Sequence, residues 1–279
     1  MTNTNLPVRN VIYVQGPYYT SSTAAYQLNG NTVTAQKYYA VPLAVPDTTF
    51  ILCFAHFKSA NNGYELVINN VPASTITDND MGPVSAAAKS GTQFLISIGG
   101  ADNPNDWTSI DADPTACATA LATFMNDYGI TGIDIDMENS ATATQVYAFI
   151  KSLASLVDGL IVTGSPYDVT TDFYAALAAL DCANTTQYIK WYNYQWYGDG
   201  ASLKLDTFKS ISSTVGGWYS SNSTAYNSAM LNVGVAPTVA GSSEGYAAIA
   251  AFTVKMTAST VPWGGFSWWN YPTLTKFSS

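Results

Sequence analysis

The chain has 279 residues, a net charge of −9, and only 10% charged residues. This acidic balance disfavours a nucleic acid as a partner, because a polyanion would be repelled. Apolar residues make up 47% of the chain, which is enough for a large core. No apolar run reaches the length of about 18 residues that a membrane-spanning helix needs, so we expect no membrane span and no membrane partner. The length suits one domain over residues 1–279.

Short apolar runs recur along the chain and have the composition of β-strands buried on both faces. Several are separated by stretches with helical periodicity, which indicates βαβ units and a parallel sheet. The runs are Val11–Gln15, Phe50–His56, Phe94–Ile98, Gly132–Asp136, Leu160–Gly164, Ile189–Tyr194, Leu231–Val235 and Gly265–Trp269.

Two stretches between these runs carry clear signals of helices. Asp113 suits an N-cap, Pro114 suits the first helical position, and Gly129 suits the end of the first helix. The second begins near Ser140, carries an apolar stripe, and is followed by Gly159. Weaker patterns predict helices over 84–89, 171–180 and 243–257, a hairpin strand over 64–69, and an irregular first loop over 17–47.

Two α/β architectures fit this order of elements. Eight strands with intervening helices predict a (β/α)8 TIM barrel as a single domain. The alternative is an open, doubly wound sheet. Gln15, Gly16 and Pro17 follow the first strand without the Gly-rich phosphate loop typical of such sheets, which favours the barrel.

Three carboxylates follow one another at every second position of the fourth predicted strand. Asp134, Asp136 and Glu138 alternate with apolar residues, so a strand would place all three on one face. Burying acids together is costly and raises at least one pKa. A carboxyl that stays protonated near neutral pH is what a general acid requires. Glu138 comes just after the strand, where barrels place their active sites.

Cysteine and histidine usage argues against a metal centre. The three cysteines Cys53, Cys117 and Cys182 leave at least one thiol unpaired. Cys53 and Cys117 fall in apolar patterns, so we expect them to be buried thiols, although the sequence leaves one disulfide open. His56 is the only histidine and no pair of cysteines has the spacing of metal ligands, so we expect no metal site. Nothing in the sequence implies an organic cofactor either. Residues 1–5 lack the pattern of a signal peptide, yet sparse charge and abundant Ser and Thr favour a secreted protein.

The acid-bearing segment resembles the DGxDxDxE signature of glycoside hydrolase family 18. That family comprises chitinases and endo-β-N-acetylglucosaminidases on (β/α)8 barrels. The likeness is closest to the short single-domain plant and fungal chitinases. Matching segments stand in the family's order: Tyr13 in the first strand, Ser97–Gly100 as SxGG, Gly132–Glu138, Ser165–Tyr167 at the fifth strand exit, Tyr192-Asn193 as the YN pair, and Gly264–Trp269 in the eighth strand.

Three positions depart from the family pattern. Thr131 replaces the first Asp of the signature, which in the family is mainly supporting, so the proton donor is retained. Met137 is an unusual but apolar residue before the Glu. Lys190 stands where the family often has Gln or Met, and a cation there would alter sugar binding in the neighbouring subsite.

The resemblance implies retaining hydrolysis in which the acetamide of the substrate acts as nucleophile. Glu138 would protonate the leaving oxygen, and Asp136 would bind the acetamide N–H and share a proton with Asp134. Tyr192 would hold the acetamide through its hydroxyl. The remaining candidates for substrate binding are Tyr13, Ser97, Gly99, Gly100, Asn193, Trp196 and Trp269, the last as an apolar surface under the sugar.

Several of these residues also have purely structural interpretations. Ser97, Gly99 and Gly100 suit a strand end that needs a tight turn. Tyr13 and Tyr192 suit core tyrosines with satisfied hydroxyls.

Three functions compete. The first is a chitinase-like endo-hydrolase that cleaves β-1,4 linkages after N-acetylglucosamine. The second is an endo-β-N-acetylglucosaminidase acting on the chitobiose core of N-glycans. The third, of another class, is an inactive sugar-binding lectin or an enzyme inhibitor. Because Asp134, Asp136 and Glu138 are all retained, the sequence favours an active enzyme. Its partner would be a polysaccharide or glycan containing N-acetylglucosamine, bound by a monomer.

Overall fold

Eight parallel strands close into a barrel, which excludes the open sheet. Each strand pairs in parallel with the next along the chain, and the first pairs with the eighth. The strands are β1 (Arg9–Gln15), β2 (Thr48–Ala60), β3 (Gln93–Gly99), β4 (Gly132–Asp136), β5 (Ile161–Gly164), β6 (Ile189–Tyr194), β7 (Leu231–Val235) and β8 (Gly265–Trp268). All eight predicted strands are therefore confirmed.

This computed structural model describes residues 9–15, 26–28, 31–33, 48–60, 63–69, 71–101, 105–197, 203–220, 226–236 and 246–269. Most of the predicted loop over 17–47 lies outside these ranges. Two short strands within it, Tyr26–Leu28 and Asn31–Val33, pair in an antiparallel hairpin.

A layer of helices surrounds the barrel. The helices are α1 (Asp78–Lys89), α2 (Asn105–Ala112), α3 (Pro114–Tyr128), α4 (Ala143–Ala154), α5 (Thr171–Cys182), α6 (Leu205–Trp218) and α7 (Tyr246–Ala258). Helices α2 and α6 were not predicted from the sequence. Among the described residues, no helix combines the length and hydrophobicity needed to cross a membrane.

The boundary signals of α3 act as expected. Asp113 Oδ1 accepts a hydrogen bond from the Ala116 amide at 2.9 Å, and Pro114 opens the helix. Gly129 ends it with φ of 73°, a left-handed conformation that favours glycine. Helix α4 begins at Ala143, slightly after the predicted start, and buries the predicted apolar stripe.

The predicted hairpin after the second strand is confirmed. Gly63–Ile68 pairs in antiparallel fashion with the extended end of β2, and a short strand, Val71–Pro72, follows. The second half of the Gly63–Ile68 strand is buried, because this strand packs beside α3. The three cysteines are free thiols: Cys53 and Cys117 are buried, as predicted, whereas Cys182 is partly exposed.

The strands alternate between two environments. Ile133 and Ile135 of β4 are fully buried in the apolar core. The alternate positions of β4, Asp134 and Asp136, face the barrel axis and are also buried. The interior of the barrel thus contains a cluster of buried polar side chains, which includes Ser97, Asp134, Asp136, Thr163, Ser165, Asn193, Asn232 and Ser267.

Candidate active site

Asp134 lies fully buried in the middle of the barrel. Burial raises the pKa of its carboxyl, and hydrogen bonds from surrounding hydroxyls oppose this rise. A carboxylate that accepts several hydrogen bonds is stabilised in its ionised form. The donors to its two oxygens are Ser165 at 2.8 Å, Ser97 at 3.0 Å, Tyr13 at 3.1 Å, Asn193 at 3.4 Å, and Thr163.

Asp136 is the next carboxyl toward the mouth of the barrel, and it is almost entirely buried at 4% exposure. Its Oδ1 accepts a hydrogen bond from Gln195 Nε2 at 2.8 Å. Burial, followed by the charges of Glu138 and Asp134, raises the pKa of Asp136 well above its usual range. Asp136 therefore holds a proton more firmly than an ordinary aspartate.

Glu138 follows β4 at the carboxyl end of the barrel and is half-buried. Its charge helps to raise the pKa of both Asp136 and Tyr197, which places its carboxyl close to these two groups. Exposure thus increases from Asp134 to Asp136 to Glu138. The three acids form a stack that runs from the barrel interior to its mouth.

A cavity opens beside this stack. Trp269 and Tyr13 meet edge to face across it, with ring centroids 5.6 Å apart, and Phe54 lies 5.7 Å from the Trp269 ring. Trp268 turns elsewhere and donates through Nε1 to Asn10 Oδ1 at 2.8 Å. The cavity is lined by Tyr13, Asp136, Ser165, Asn193, Gln195, Tyr197, Gly234, Ser267 and Trp269.

Tyr192 and Trp196, which were predicted for the site, face away from the cavity and the acids. Tyr192 is fully buried with its hydroxyl 2.9 Å from that of Tyr219 and its ring edge-on to Trp218, so it faces the helix layer. Trp196 is also fully buried and stacks on Phe208, with ring centroids 6.4 Å apart. Neighbouring residues of a strand point to opposite faces, and Asn193 is the one that faces the barrel axis.

The structure brings in two residues that the sequence analysis missed. Gln195 and Tyr197 continue the inward alternation that starts at Asn193, beyond the end of β6. The Tyr197 side chain is half-buried. Burial, then the charges of Asp136 and Glu138, raise its pKa well above the usual value, so the phenol is protonated and lies near both acids. The two-residue repeat of a strand, continued from Asn193, would have predicted that Gln195 and Tyr197 also face inward.

Comparison with known proteins decides the family. The model of glycosyl hydrolases family 18 matches residues 16–259. The chain belongs to this family. The resemblance of the sequence to family 18 is thereby confirmed, although the plant and fungal branch is not singled out.

Solved structures of family 18 share the barrel along nearly the whole chain. A chitinase from Pseudoalteromonas aurantia has 19% identity and a TM-score of 0.69, with 95% of each chain covered. A fungal endo-β-N-acetylglucosaminidase has 17% identity and a TM-score of 0.71, covering 96% of this chain and 91% of that one. A chitinase from Aspergillus fumigatus has 19% identity and a TM-score of 0.68, covering 97% and 92%.

The SxGG segment of this family 18 barrel supports the acids from beneath the cavity. Ser97 donates to Asp134 at 3.0 Å, and the Gly100 amide donates to the backbone oxygen of Asp136 at 2.9 Å. Gly99 has φ of 108°, and a Cβ there would lie 2.1 Å from that same oxygen. The two glycines therefore let β3 approach the backbone of Asp136 closely. None of these three residues is among those that line the cavity.

Two of the three departures from the family signature, Thr131 and Lys190, lie at the opposite end of the barrel, whereas Met137 is buried between Asp136 and Glu138. Thr131 is exposed just before β4. Lys190, near the start of β6, is exposed and donates to the Gln187 carbonyl at 2.6 Å. The expectation that Lys190 alters a sugar subsite is not supported, because its side chain lies at the amino ends of the strands, away from the mouth.

Tyr174 of α5 joins the exits of two strands. Its hydroxyl donates to the Ile135 carbonyl and accepts from the amides of Met137 at 3.2 Å and Ser165 at 3.3 Å. A Cβ at Gly164 would lie 2.7 Å from the Tyr174 ring, so this glycine makes room for the ring. Sequence analysis gave no signal for this residue.

Tyr174→Phe should lower both stability and turnover. Buried backbone groups would lose their partner, at a cost of about 1–3 kcal/mol. The chain leading to Glu138 would also lose an anchor, so kcat should fall. Urea unfolding and initial rates measure the two effects. Tyr226→Phe is the control, because its hydroxyl pairs with Ser212 away from the acids. Parent-like turnover in Tyr174→Phe would contradict the anchoring role.

Asp136→Asn should stabilise the protein at neutral pH. The native state keeps a proton on Asp136 above the pH at which the unfolded chain releases it, about 3.9. The parent therefore loses stability as the pH rises from about 4, by roughly 1.4 kcal/mol for each unit of pKa elevation. Asn does not titrate and still accepts from Gln195.

Denaturant unfolding at about pH 4 and pH 7 tests this expectation. The stability gap between Asp136→Asn and the parent should open as the pH rises. Asp158→Asn, at an exposed position, is the matched control. A variant less stable than the parent at neutral pH would show that Asp136 is ionised in the native state.

Proposed function

We propose that this protein is a retaining glycoside hydrolase that cleaves β-1,4 linkages after N-acetylglucosamine in chitin-type chains. The observation that carries the proposal is the stack of Asp134, Asp136 and Glu138, which rises to a cavity walled by Tyr197 and Trp269. Membership of family 18 supports the class of reaction.

In this proposal the substrate supplies its own nucleophile. The acetamide oxygen attacks the anomeric carbon while Glu138 gives its proton to the glycosidic oxygen, and the bond to the leaving sugar breaks. Glu138, now a carboxylate, takes a proton from water, which adds to the same carbon and opens the cyclic intermediate. The configuration at the anomeric carbon is inverted twice, which gives net retention. Glu138 ends the cycle protonated, as it began.

Asp136 and Asp134 stabilise the cyclic intermediate. An oxygen of Asp136 accepts the acetamide N–H, and the negative charge of Asp134 beneath it balances the positive charge that develops on the acetamide. Gln195 fixes the Asp136 carboxyl through its 2.8 Å hydrogen bond. Such preorganised groups act strongly because the site is largely buried.

We assign to Tyr197 the role that the sequence suggested for Tyr192. Its phenol lies near Asp136 and Glu138 and keeps its proton, so it can donate to the acetamide oxygen. Trp269, edge to face with Tyr13, offers an apolar surface for the acetyl group and sugar ring. All of these residues come from one barrel, which supports action as a single-domain monomer. The sparse charge supports a secreted enzyme.

A product assay on two substrates tests the proposal. The protein is incubated with a soluble chito-oligosaccharide and, separately, with a glycoprotein carrying high-mannose N-glycans. We expect shorter oligomers from the first, with the β-anomer dominant in early NMR spectra. Release of glycans from the glycoprotein alone would identify an endo-β-N-acetylglucosaminidase. Binding without cleavage of either substrate would identify a lectin and overturn the enzymatic proposal.

A further inference from the structure

A chain of hydrogen bonds connects the amino-terminal end of the barrel to Asp134. Arg9, the first residue of β1, donates from Nη2 to Asn232 Oδ1 at 3.4 Å and also to the Ala229 carbonyl. Asn232 Nδ2 donates to Asn193 Oδ1 at 2.9 Å. Asn193 Nδ2 donates to Asp134 Oδ1 at 3.4 Å. Both asparagines are buried, so the chain runs inside the barrel.

The orientation of the side-chain amides of Asn232 and Asn193 is fixed by neighbouring groups that can only donate hydrogen bonds. The Arg9 guanidinium has no acceptor, so Asn232 must turn its oxygen toward Arg9. The Trp191 indole N–H donates to Asn193 Oδ1 at 3.1 Å, so Asn193 must turn its NH₂ toward Asp134. The two amide dipoles are therefore aligned, with their donor ends facing the carboxylate, and such aligned hydrogen bonds strengthen one another.

Arg9 is held as a cation in this position. Burial lowers its pKa to about 10, which still leaves it charged at neutral pH. Its guanidinium lies 4.9 Å from the centre of the Trp191 ring, a favourable cation–π contact. A Cβ at Gly264 would lie 2.2 Å from Asn232 Oδ1 and 2.6 Å from Arg9 Nη2. Glycine at this position therefore leaves room for the Arg9–Asn232 contact.

Among the residues that the structure describes, the titratable groups that face Asp134 carry no opposing positive charge. Burial raises the pKa of Tyr13 on β1, Cys53 on β2, Tyr174 on α5 and Tyr197 after β6 well above their usual values, so all four stay neutral. The pKa of Asp136 on β4 is raised well above its usual range by burial and by the neighbouring acids, so it adds less negative charge than an ordinary aspartate. The side chains from β3, β5 and β6 that contact Asp134 are the uncharged Ser97, Thr163, Ser165 and Asn193.

We propose that Arg9 is a positioning residue for the hydrolysis: acting through Asn232 and Asn193, its charge keeps Asp134 the ionised member of the acid stack and leaves the proton to Asp136. The inference rests on the proposed function for its effect on rate. Its effect on the protonation of Asp134 is independent of that function.

Two variants separate the charge of Arg9 from its hydrogen bond. Arg9→Gln keeps a donor for Asn232 but removes the charge, whereas Arg9→Lys keeps the charge. Loss of a positive charge disfavours the ionised form of Asp134 and raises its pKa. A unit charge roughly 10 Å away in a protein interior has an effect of about half a pH unit once partial exposure is allowed for.

The experiment measures kcat/KM against pH on a chito-oligosaccharide and follows the carboxyl carbon of Asp134 by 13C NMR. In Arg9→Gln we expect the acid limb of the profile and the Asp134 titration to move upward by about half a pH unit. In Arg9→Lys both should stay with the parent. A purely structural role would lower Tm in both variants without moving either titration.

Two results would overturn the inference: unchanged titrations in Arg9→Gln, or the same shift in Arg9→Lys. If Arg9→Gln does not fold, Asn232→Leu interrupts the series of hydrogen bonds between Arg9 and Asp134 at the next residue. This variant should raise the pKa of Asp134 in the same way. Unchanged titration in Asn232→Leu would refute the inference. If the parent shows no hydrolysis, the proposed function fails, while the NMR titration still decides the role of Arg9.

Discussion

Glu138→Gln is expected to lower the hydrolysis rate by about 10²–10⁴-fold while leaving substrate binding close to that of the parent. The amide has nearly the same shape as the acid but cannot protonate the leaving oxygen. Initial rates on a chito-oligosaccharide give the loss of kcat, and calorimetric titration gives the affinity. The half-buried position of Glu138 at the barrel mouth makes a collapse of the fold an unexpected outcome.

Glu65→Gln is the matched control for this substitution. Glu65 is exposed on the hairpin strand that extends β2, so the same change of charge is made away from the acids. Its rate should equal that of the parent. Cleavage by Glu138→Gln at the parent rate would remove Glu138 from the role of proton donor and, with it, the mechanism proposed for the stack.

Tyr197→Phe and Tyr192→Phe form a second, paired test with opposite outcomes. Loss of the Tyr197 hydroxyl removes one donor to the acetamide oxygen, where charge changes during the reaction, and should lower kcat by about 10²-fold. Loss of the Tyr192 hydroxyl removes its contact with Tyr219 and should cost about 0.5–1.5 kcal/mol of stability. Its kcat should stay within a few-fold of the parent.

Steady-state kinetics and denaturant unfolding of both variants, under the same conditions, measure these effects. Each tyrosine serves as the control for the other, because both changes remove a single oxygen. The reverse pattern, with activity lost in Tyr192→Phe and kept in Tyr197→Phe, would mean that the side chains after Asn193 are oriented opposite to the arrangement described above.

The arrangement of the three acids was predictable because it depends on a pattern within one short segment of the sequence. Within β4 each acid alternates with an apolar residue, and the two-residue repeat of a strand then fixes which side chains share a face. The same rule was available for β6, but the sequence there offers Trp191, Tyr192, Tyr194 and Trp196 in close succession. With so many aromatics, the family-like YN pair pointed to Tyr192, and the inward series from Asn193 to Tyr197 was overlooked.

Other features of the structure could not be predicted from the sequence. Helix α6 contains several Ser and Thr residues and two glycines near its end, all with low helix propensity, so its packing against neighbouring helices decides its formation. Helix α2 is only eight residues long. Arg9 contacts Asn232 across 223 positions of the chain, and Tyr174 contacts Ile135 across 39. Contacts between such distant residues follow from the closed barrel alone.

The alternation along β4 has a consequence for enzyme engineering. Ile133 and Ile135 anchor the strand in the outer core, so the spacing of its acids is set by the pleat of one short strand. The segments that surround the mouth can then be exchanged or lengthened to admit differently branched glycans without disturbing the proton-transfer groups. Grafting the rim of one family member onto this scaffold is therefore a rational route to new substrate preference.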